Sequence, residues 1–137
     1  MTEGRRLAAD GVVRRGDGDV LLLRRDHPPH EGAWVLPGGY VETDETARAA
    51  CEREVEEETG LAVDAMGFVG LYDAPDRDPR GTVSAAYRCE PQDDAAPAVE
   101  PGEEARELRW WNPAEPPALG FDHAAILEDA TAGTREG

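Results

Sequence analysis

The chain has 137 residues, enough for one domain with a single hydrophobic core. It carries 30 acidic residues against 14 basic ones, every basic residue is an arginine, and the formal net charge is −16. This charge argues against nucleic acid and anionic membranes as partners, because both need a basic surface. With no bilayer-length apolar run and no hydrophobic start of the signal-peptide type, we expect a soluble, cytoplasmic protein with one domain over residues 1–137.

The predicted elements alternate between strands and helices along the chain. Residues 7–14 and 19–25 favour two strands joined as a hairpin by the turn-forming segment 15–18, and the prolines in 26–33 predict a loop. After a central helix, strands are predicted over 61–72, 82–90 and 106–111, with loops over 74–81 and 91–102 and a terminal helix over 122–130. Strands interrupted by one central and one terminal helix predict an α/β (α+β) sandwich.

The central helix is predicted to begin near Thr43 or Asp44, either of which can cap its N-terminus. Gly60 suits the left-handed position after its last turn. On a helical wheel three acids continue the apolar, inward face toward the C-terminus, while a second group lies on the outward face. The inward acids are Glu54, Glu57 and Glu58; the outward residues are Ala49, Glu52 and Glu56.

Acids in this position need a physical reason. The helix macrodipole disfavours negative charge in the last turns, and three neighbouring carboxylates repel one another unless their pKa values rise or a cation gathers them. Carboxylate oxygens suit hard divalent ions such as Mg²⁺ or Mn²⁺. The alternative is that the Glu-rich segment is a strong helix former on a very acidic protein.

A longer pattern surrounds these acids. The segment from Gly39 to Leu61 follows the pattern G-x5-E-x7-R-E-U-x-E-E-x-G-U, where U is a bulky aliphatic residue. Glu45 is the first acid of this pattern, and Arg53 is its arginine. All nine specified positions match, so segment 39–61 resembles the Nudix box. The preceding HPPHEGAWVLPGGYVE and the later strand ending in tryptophan extend the resemblance.

The resemblance implies a Nudix fold, with a mixed β-sheet between helices, and divalent-metal-dependent hydrolysis of a nucleoside diphosphate linked to another group. It implies that Mg²⁺ (or Mn²⁺) is held by the Gly38 carbonyl with acids of the box, Glu57 being either a ligand or the base that orders water. Gly38 and Gly39 are expected in a tight turn, and Arg53 is expected to hold Glu45 in a bidentate ion pair. The expected metal ligands are Gly38, Glu54, Glu57 and Glu58, and the expected catalytic residues are Glu45, Arg53, Glu54, Glu57 and Glu58.

Other candidates lie outside the box, each with a plainer alternative. Three acids near the 91–102 loop are candidates for the base or a further ligand, or are surface acids: Glu100, Glu103 and Glu104. Four arginines are candidate phosphate contacts, or face solvent: Arg24, Arg25, Arg77 and Arg80. Four aromatics are candidates for stacking a base, or fill the core and rim: Trp34, Tyr72, Trp110 and Trp111.

The substrate prediction depends on segment 71–87, LYDAPDRDPRGTVSAAY. With Pro75 fourteen residues after the box, it resembles the matching stretch of ADP-ribose pyrophosphatases, which implies ADP-ribose or a related NDP-sugar, cleaved to AMP (or another NMP) and a phosphorylated sugar. One alternative is a nucleoside triphosphate pyrophosphohydrolase clearing oxidised dNTPs such as 8-oxo-dGTP. A second alternative is a non-catalytic Nudix module that binds its ligand.

Composition and the cysteines add three expectations. Acid excess without lysine resembles proteins of salt-accumulating halophiles. Cys51 and Cys89 are expected as reduced core thiols, a disulfide between them being the alternative. The expected partner is the small nucleotide substrate. The resemblance also implies that the chain can form a homodimer.

Overall fold

The computed structural model describes residues 4–94, 96–97 and 105–132, without the side chains of 105 and 106. It contains seven strands and two helices in these ranges. They are β1 (Leu7–Val13), β2 (Val20–Arg25), β3 (Trp34–Val35), β4 (Gly38–Tyr40), α1 (Ala47–Thr59), β5 (Val63–Tyr72), β6 (Val83–Pro91), β7 (Ala105–Trp111) and α2 (His123–Ala132).

The strands form two sheets. The larger has the order β4-β1-β6-β5 and is mixed, since β1 runs parallel to β6 and antiparallel to β4. The smaller has the order β3-β2-β7 with antiparallel pairs. The predicted hairpin is therefore wrong: β1 and β2 share only the bridge between Arg14 and Val20, and each strand then enters a different sheet.

Two buried clusters lie on opposite sides of these sheets. Strand β1 alternates between them, with Ala9 and Val13 packed toward α1 and Val12 packed toward α2. Helix α1 contributes Cys51 and Val55 to the first cluster, and α2 contributes residues such as Ile126 to the second. The predicted α/β sandwich, with strands between helices, is confirmed.

Helix α1 begins two or three residues later than the sequence suggested. Thr46, rather than Thr43 or Asp44, is the N-cap, and its side chain accepts a hydrogen bond from the Ala49 amide at 3.0 Å. Residues 42–45 form a turn instead, which brings Glu45 back toward the helix. Gly60 ends the helix in the left-handed conformation, with φ of 76°.

Gly38 and Gly39 lie in strand β4, so the predicted tight turn is wrong. Neither glycine has a positive φ; each is needed because other atoms approach it closely. A Cβ on Gly38 would overlap the Asp10 carboxylate and the Ala9 carbonyl of β1, and a Cβ on Gly39 would overlap the Glu54 carboxylate. Strand β4 is therefore pressed between β1 and α1.

The two cysteines face each other in the first cluster. Both are buried and unbridged, with their Sγ atoms 3.6 Å apart. The Cys89 hydrogen bond and burial raise the pKa of the Cys51 thiol. The expected core thiols are present.

Candidate functional site

Arg53 is the centre of the charged cluster on α1. Its Nε and Nη2 donate to the two oxygens of Glu45 at 3.0 and 2.6 Å, which is the predicted bidentate pair. Its Nη1 donates to Glu54 at 2.7 Å and to Glu57 at 2.9 Å, and Nη2 also donates to the Tyr40 carbonyl at 3.1 Å. One guanidinium therefore fixes three carboxylates and the end of β4.

The carboxylates in this cluster differ in their electrostatics. Hydrogen bonds from Arg53 and from the Glu42 amide lower the pKa of Glu45 to about 2. Burial raises the pKa of Glu54, although its hydrogen bond and ion pair with Arg53 act in the opposite direction. Glu45 is thus a permanent anion that orients Arg53, while Glu54 carries its charge at a cost in free energy.

Glu54 and Glu58 both lie against β4. The Gly38 amide donates to Oε1 of Glu58 at 2.7 Å. The Glu54 carboxylate occupies the space beside Gly39 that a Cβ would fill. These contacts bring the predicted ligands Gly38, Glu54 and Glu58 together at one edge of the helix.

Two residues of α1 differ in exposure from what the helical wheel suggests. The Glu57 side chain is 49% exposed, and the same Arg53 nitrogen that contacts Glu54 holds its carboxylate. Glu52, predicted to face outward, is half-buried, and its carboxylate accepts a hydrogen bond from the Ala65 amide of β5 at 2.8 Å. The wheel fails here because long side chains bend toward donors near the helix.

Within the described residues, no three acidic, histidine or cysteine side chains already lie close enough together to hold a metal ion. Arg53 holds Glu54 and Glu57, and Gly38 holds Glu58. The donor set nevertheless fits a hard divalent ion, since it consists of oxygens on a rigid helix beside two glycines of β4. The ligand roles remain predictions.

A cavity of about 870 Å³ opens beside these carboxylates. One wall is formed by α1 and β4, with Glu54 and Glu58. The lining also includes the 77–82 loop, with Arg80 held by the buried Asp78 at 2.8 Å. The cavity lining therefore contains both carboxylates and guanidinium groups.

The four predicted arginines have different environments. Arg80 lines the cavity, and Arg25 does too, although its guanidinium donates to the carbonyls of the 27–29 loop. Arg77 borders the cavity, but its side chain is only 3% exposed and is bound to Asp122. Arg24 lies outside the cavity lining and contacts Gly32 and Glu107 instead.

The aromatics that border the cavity are not the ones singled out from the sequence. Of the four predicted stacking residues, Trp34 and Trp111 pack edge-to-face at 5.3 Å, Trp110 packs on the first cluster, and the Tyr72 hydroxyl donates to Asp129. Tyr40 and Phe121 line the cavity in their place. Arg15 lies over the Trp110 ring, 4.5 Å from its centroid.

Sequence reasoning also missed Arg6 and three buried polar residues of the lining. Arg6 lies over the Tyr40 ring, 3.3 Å from its centroid, and no local pattern singles it out. Asp10, Ser84 and His123 form the buried floor. Asp10 had a usable signal, because an acid inside the apolar strand LAADGVV needs a reason to be there.

The three loop acids Glu100, Glu103 and Glu104 lie outside the described residues, so their role as base or ligand stays a prediction. In the described part of the chain, neither helix has the length and apolar character needed to cross a membrane.

Comparison with known proteins places the chain in a family. Residues 4–130 match the model of the NUDIX domain. The ADP-ribose pyrophosphatase of Methanocaldococcus jannaschii is 37% identical over 123 residues, covering 90% of this chain and 71% of that protein.

Two solved structures share the fold. The NUDIX domain of Shewanella oneidensis NrtR complexed with ADP ribose is 25% identical, with a TM-score of 0.81, covering 97% of this chain and 90% of that one. A MutT/nudix family protein from Enterococcus faecalis is 24% identical, with a TM-score of 0.83. The match covers 99% of this chain and 64% of that one. The chain belongs to the Nudix hydrolase family.

Proposed function

We propose that this protein hydrolyses the pyrophosphate link of ADP-ribose or a related NDP-sugar, releasing AMP (or another NMP) and a phosphorylated sugar. The observation that carries the proposal is that carboxylates and arginines line one cavity together. A diphosphate is anionic, so it can contact arginines directly and carboxylates through a divalent cation. The name of the M. jannaschii relative and the ADP ribose in the NrtR structure support this choice of substrate.

Mg²⁺ (or Mn²⁺) would be held by Glu54, Glu58 and the Gly38 carbonyl, with Glu57 as a further ligand. When bound, the metal neutralises phosphate oxygens and lowers the pKa of water, which a protein of charge −16 cannot do for an anionic substrate by itself. The raised pKa of Glu54 fits a carboxylate that a cation would relieve of its cost in free energy.

The side chains have separate tasks in this proposal. Arg53 orients Glu54 and Glu57, and Glu45 fixes Arg53 in turn. Glu57, the more exposed of the two acids of α1 that Arg53 contacts, is the alternative choice for the base that orders the attacking water. Arg80, held by Asp78 at the cavity lining, would contact the phosphates.

Two other functions compete for the same site. A triphosphate pyrophosphohydrolase would use the same helix and differ only in the groups that recognise the nucleotide. A module that binds ADP-ribose without cleaving it is favoured by one observation, the NrtR domain with its bound ADP ribose. The intact set of box acids favours an enzyme over the binding module.

The test is a product analysis in molar KCl with Mg²⁺. The substrates are ADP-ribose, NADH, dinucleoside polyphosphates, dNTPs and 8-oxo-dGTP. AMP appearing fastest from ADP-ribose supports the proposal, and monophosphate with pyrophosphate from a triphosphate contradicts it. Binding of ADP-ribose without turnover of any compound identifies the binding module.

A further inference from the structure

Three buried polar side chains meet at the floor of the cavity, next to the carboxylate wall. Asp10 of β1, Ser84 of β6 and His123 of α2 are 7%, 1% and 5% exposed. They come from distant parts of the chain, and all three line the cavity. Burying polar groups costs free energy unless each finds a partner. Apolar side chains would fill this floor at lower cost, so the polar floor needs a reason.

The donors of this group converge on one carboxylate oxygen. The Ser84 hydroxyl donates to Oδ2 of Asp10. The Leu36 amide donates to Nδ1 of His123 at 2.9 Å, so the proton of the neutral ring is on Nε2. Nε2 faces the same Oδ2 at 3.8 Å. Burial lowers the pKa of His123, which keeps the ring neutral at pH 7.

The other oxygen, Oδ1, receives no hydrogen bond from any group in the described ranges. It lies against Gly38, where a Cβ would overlap it. Because the Gly38 amide donates to Glu58, Asp10 and Glu58 lie on either side of one residue. Oδ1 is thus a charged acceptor with unused capacity, directly beside the proposed site of hydrolysis.

We propose that Oδ1 of Asp10 accepts a hydrogen bond from a hydroxyl of the terminal sugar, the one attached to the diphosphate opposite the nucleoside. This deepens the proposed function and rests on it. A carboxylate repels phosphate, so the group of the substrate that it binds is an uncharged donor attached close to the phosphates. A sugar hydroxyl meets both conditions.

The other end of the substrate suits a different part of the cavity. Arg6 covers the Tyr40 ring, 3.3 Å from its centroid. Flat aromatic and guanidinium surfaces stack a base. The floor, in contrast, presents the Asp10 carboxylate and the Ser84 hydroxyl beside the His123 ring, and these polar groups assign the floor to the sugar.

Asp10→Asn tests the assignment with little change in shape. Ser84 donates to the Oδ2 position and Nε2 of His123 faces it at 3.8 Å, so the amide oxygen takes that position and the NH₂ group faces the cavity. The charged acceptor becomes a neutral donor. We would measure the dissociation constants of ADP-ribose and ADP by calorimetry or NMR titration in EDTA, because the two ligands differ by the terminal ribose.

We expect Asp10→Asn to weaken ADP-ribose binding about tenfold, and to leave ADP binding unchanged or tighter because one negative charge is gone. Equal weakening of both ligands, or no weakening of ADP-ribose, overturns the proposal. Asp76→Asn is the matched control: Asp76 is exposed and outside the cavity lining, and its substitution should change neither constant.

A second pair of ligands separates this inference from the proposed function. Ribose 5-phosphate and inorganic phosphate test the sugar site whether or not ADP-ribose is the substrate. If the product analysis finds a triphosphate substrate, the sugar site is still supported when the wild type binds ribose 5-phosphate more tightly than inorganic phosphate and Asp10→Asn loses this preference. If Asp10→Asn does not fold, Ser84→Ala keeps the carboxylate and should lower that preference severalfold; an unchanged preference overturns the inference.

Discussion

Arg77 was a candidate phosphate contact, and its surroundings predict a structural role instead. Its Nε and Nη2 donate to the Asp122 carboxylate at 2.8 and 2.6 Å, and Nη1 donates to the Thr82 carbonyl at 2.9 Å. These bonds tie the loop that carries Arg80 to the residue preceding α2. Arg77→Met removes all three bonds and keeps an unbranched side chain of similar length.

The expected cost follows from the burial of the two partners. Breaking a fully buried ion pair costs about 3–5 kcal/mol, because the remaining charge stays without a partner. The Asp122 side chain keeps 26% of its surface exposed, so water solvates part of the carboxylate that is left. We therefore expect a loss of about 2–3 kcal/mol in the free energy of unfolding, or a fall in Tm of about 6–10 °C for a chain of this size.

The assay is urea unfolding of four proteins at one KCl concentration: the wild type, Arg77→Met, Asp122→Asn and the double variant. If the pair is structural, the double variant loses less stability than the sum of the two single variants. A loss below about 1 kcal/mol in Arg77→Met, together with a raised KM, would refute this reasoning and return Arg77 to the substrate.

Three further outcomes are expected. Glu57→Gln or Glu58→Gln should lower kcat by about 10²-fold or more, while the circular dichroism spectrum stays unchanged. Near-normal turnover in both variants would contradict the assignment of these acids to the metal site. Glu56→Gln, which changes an exposed residue of the same helix, is the control. Burial acts to raise the pKa of Asp122, but Arg77 outweighs it and lowers the pKa. The stability from this pair should therefore be present above about pH 4 and lost as the pH falls through the lowered pKa. The Tm of Asp122→Asn, measured from about pH 6 to about pH 3, should fall less steeply than that of the wild type. The halophilic composition predicts unfolding at low ionic strength with rescue by molar KCl, and melting that does not depend on salt would remove that prediction.

The local parts of the site could be predicted from the sequence. The spacing in the box placed Arg53 one helical turn from Glu57 and within reach of Glu45, and the structure contains both ion pairs. Gly60 was correctly placed after the last turn of the helix. Such contacts depend on helix geometry over a few residues, which one sequence specifies well.

The non-local parts could not be predicted. The floor joins Asp10, Ser84 and His123, and only the pairing of β1 with β6 and the position of α2 bring them together. The hairpin prediction failed because residues 15–18 suit a turn whether or not the strands stay paired beyond it. The extended Gly38 and Gly39 were missed because their need for close approach comes from other elements.

The parallel pairing of β1 with β6 also bears on how the protein acquires its site during synthesis. Leu7 is paired with Val83, so the first strand finds its central partner more than half the chain later. Strand β4, which carries Gly38, is held in the sheet only by β1. Contacts between such distant segments form slowly, because a long loop must close before they gain free energy. A nascent chain that ends before β6 therefore has its box helix but not the cavity beside it, and we expect nucleotide binding to appear only once β6 has left the ribosome.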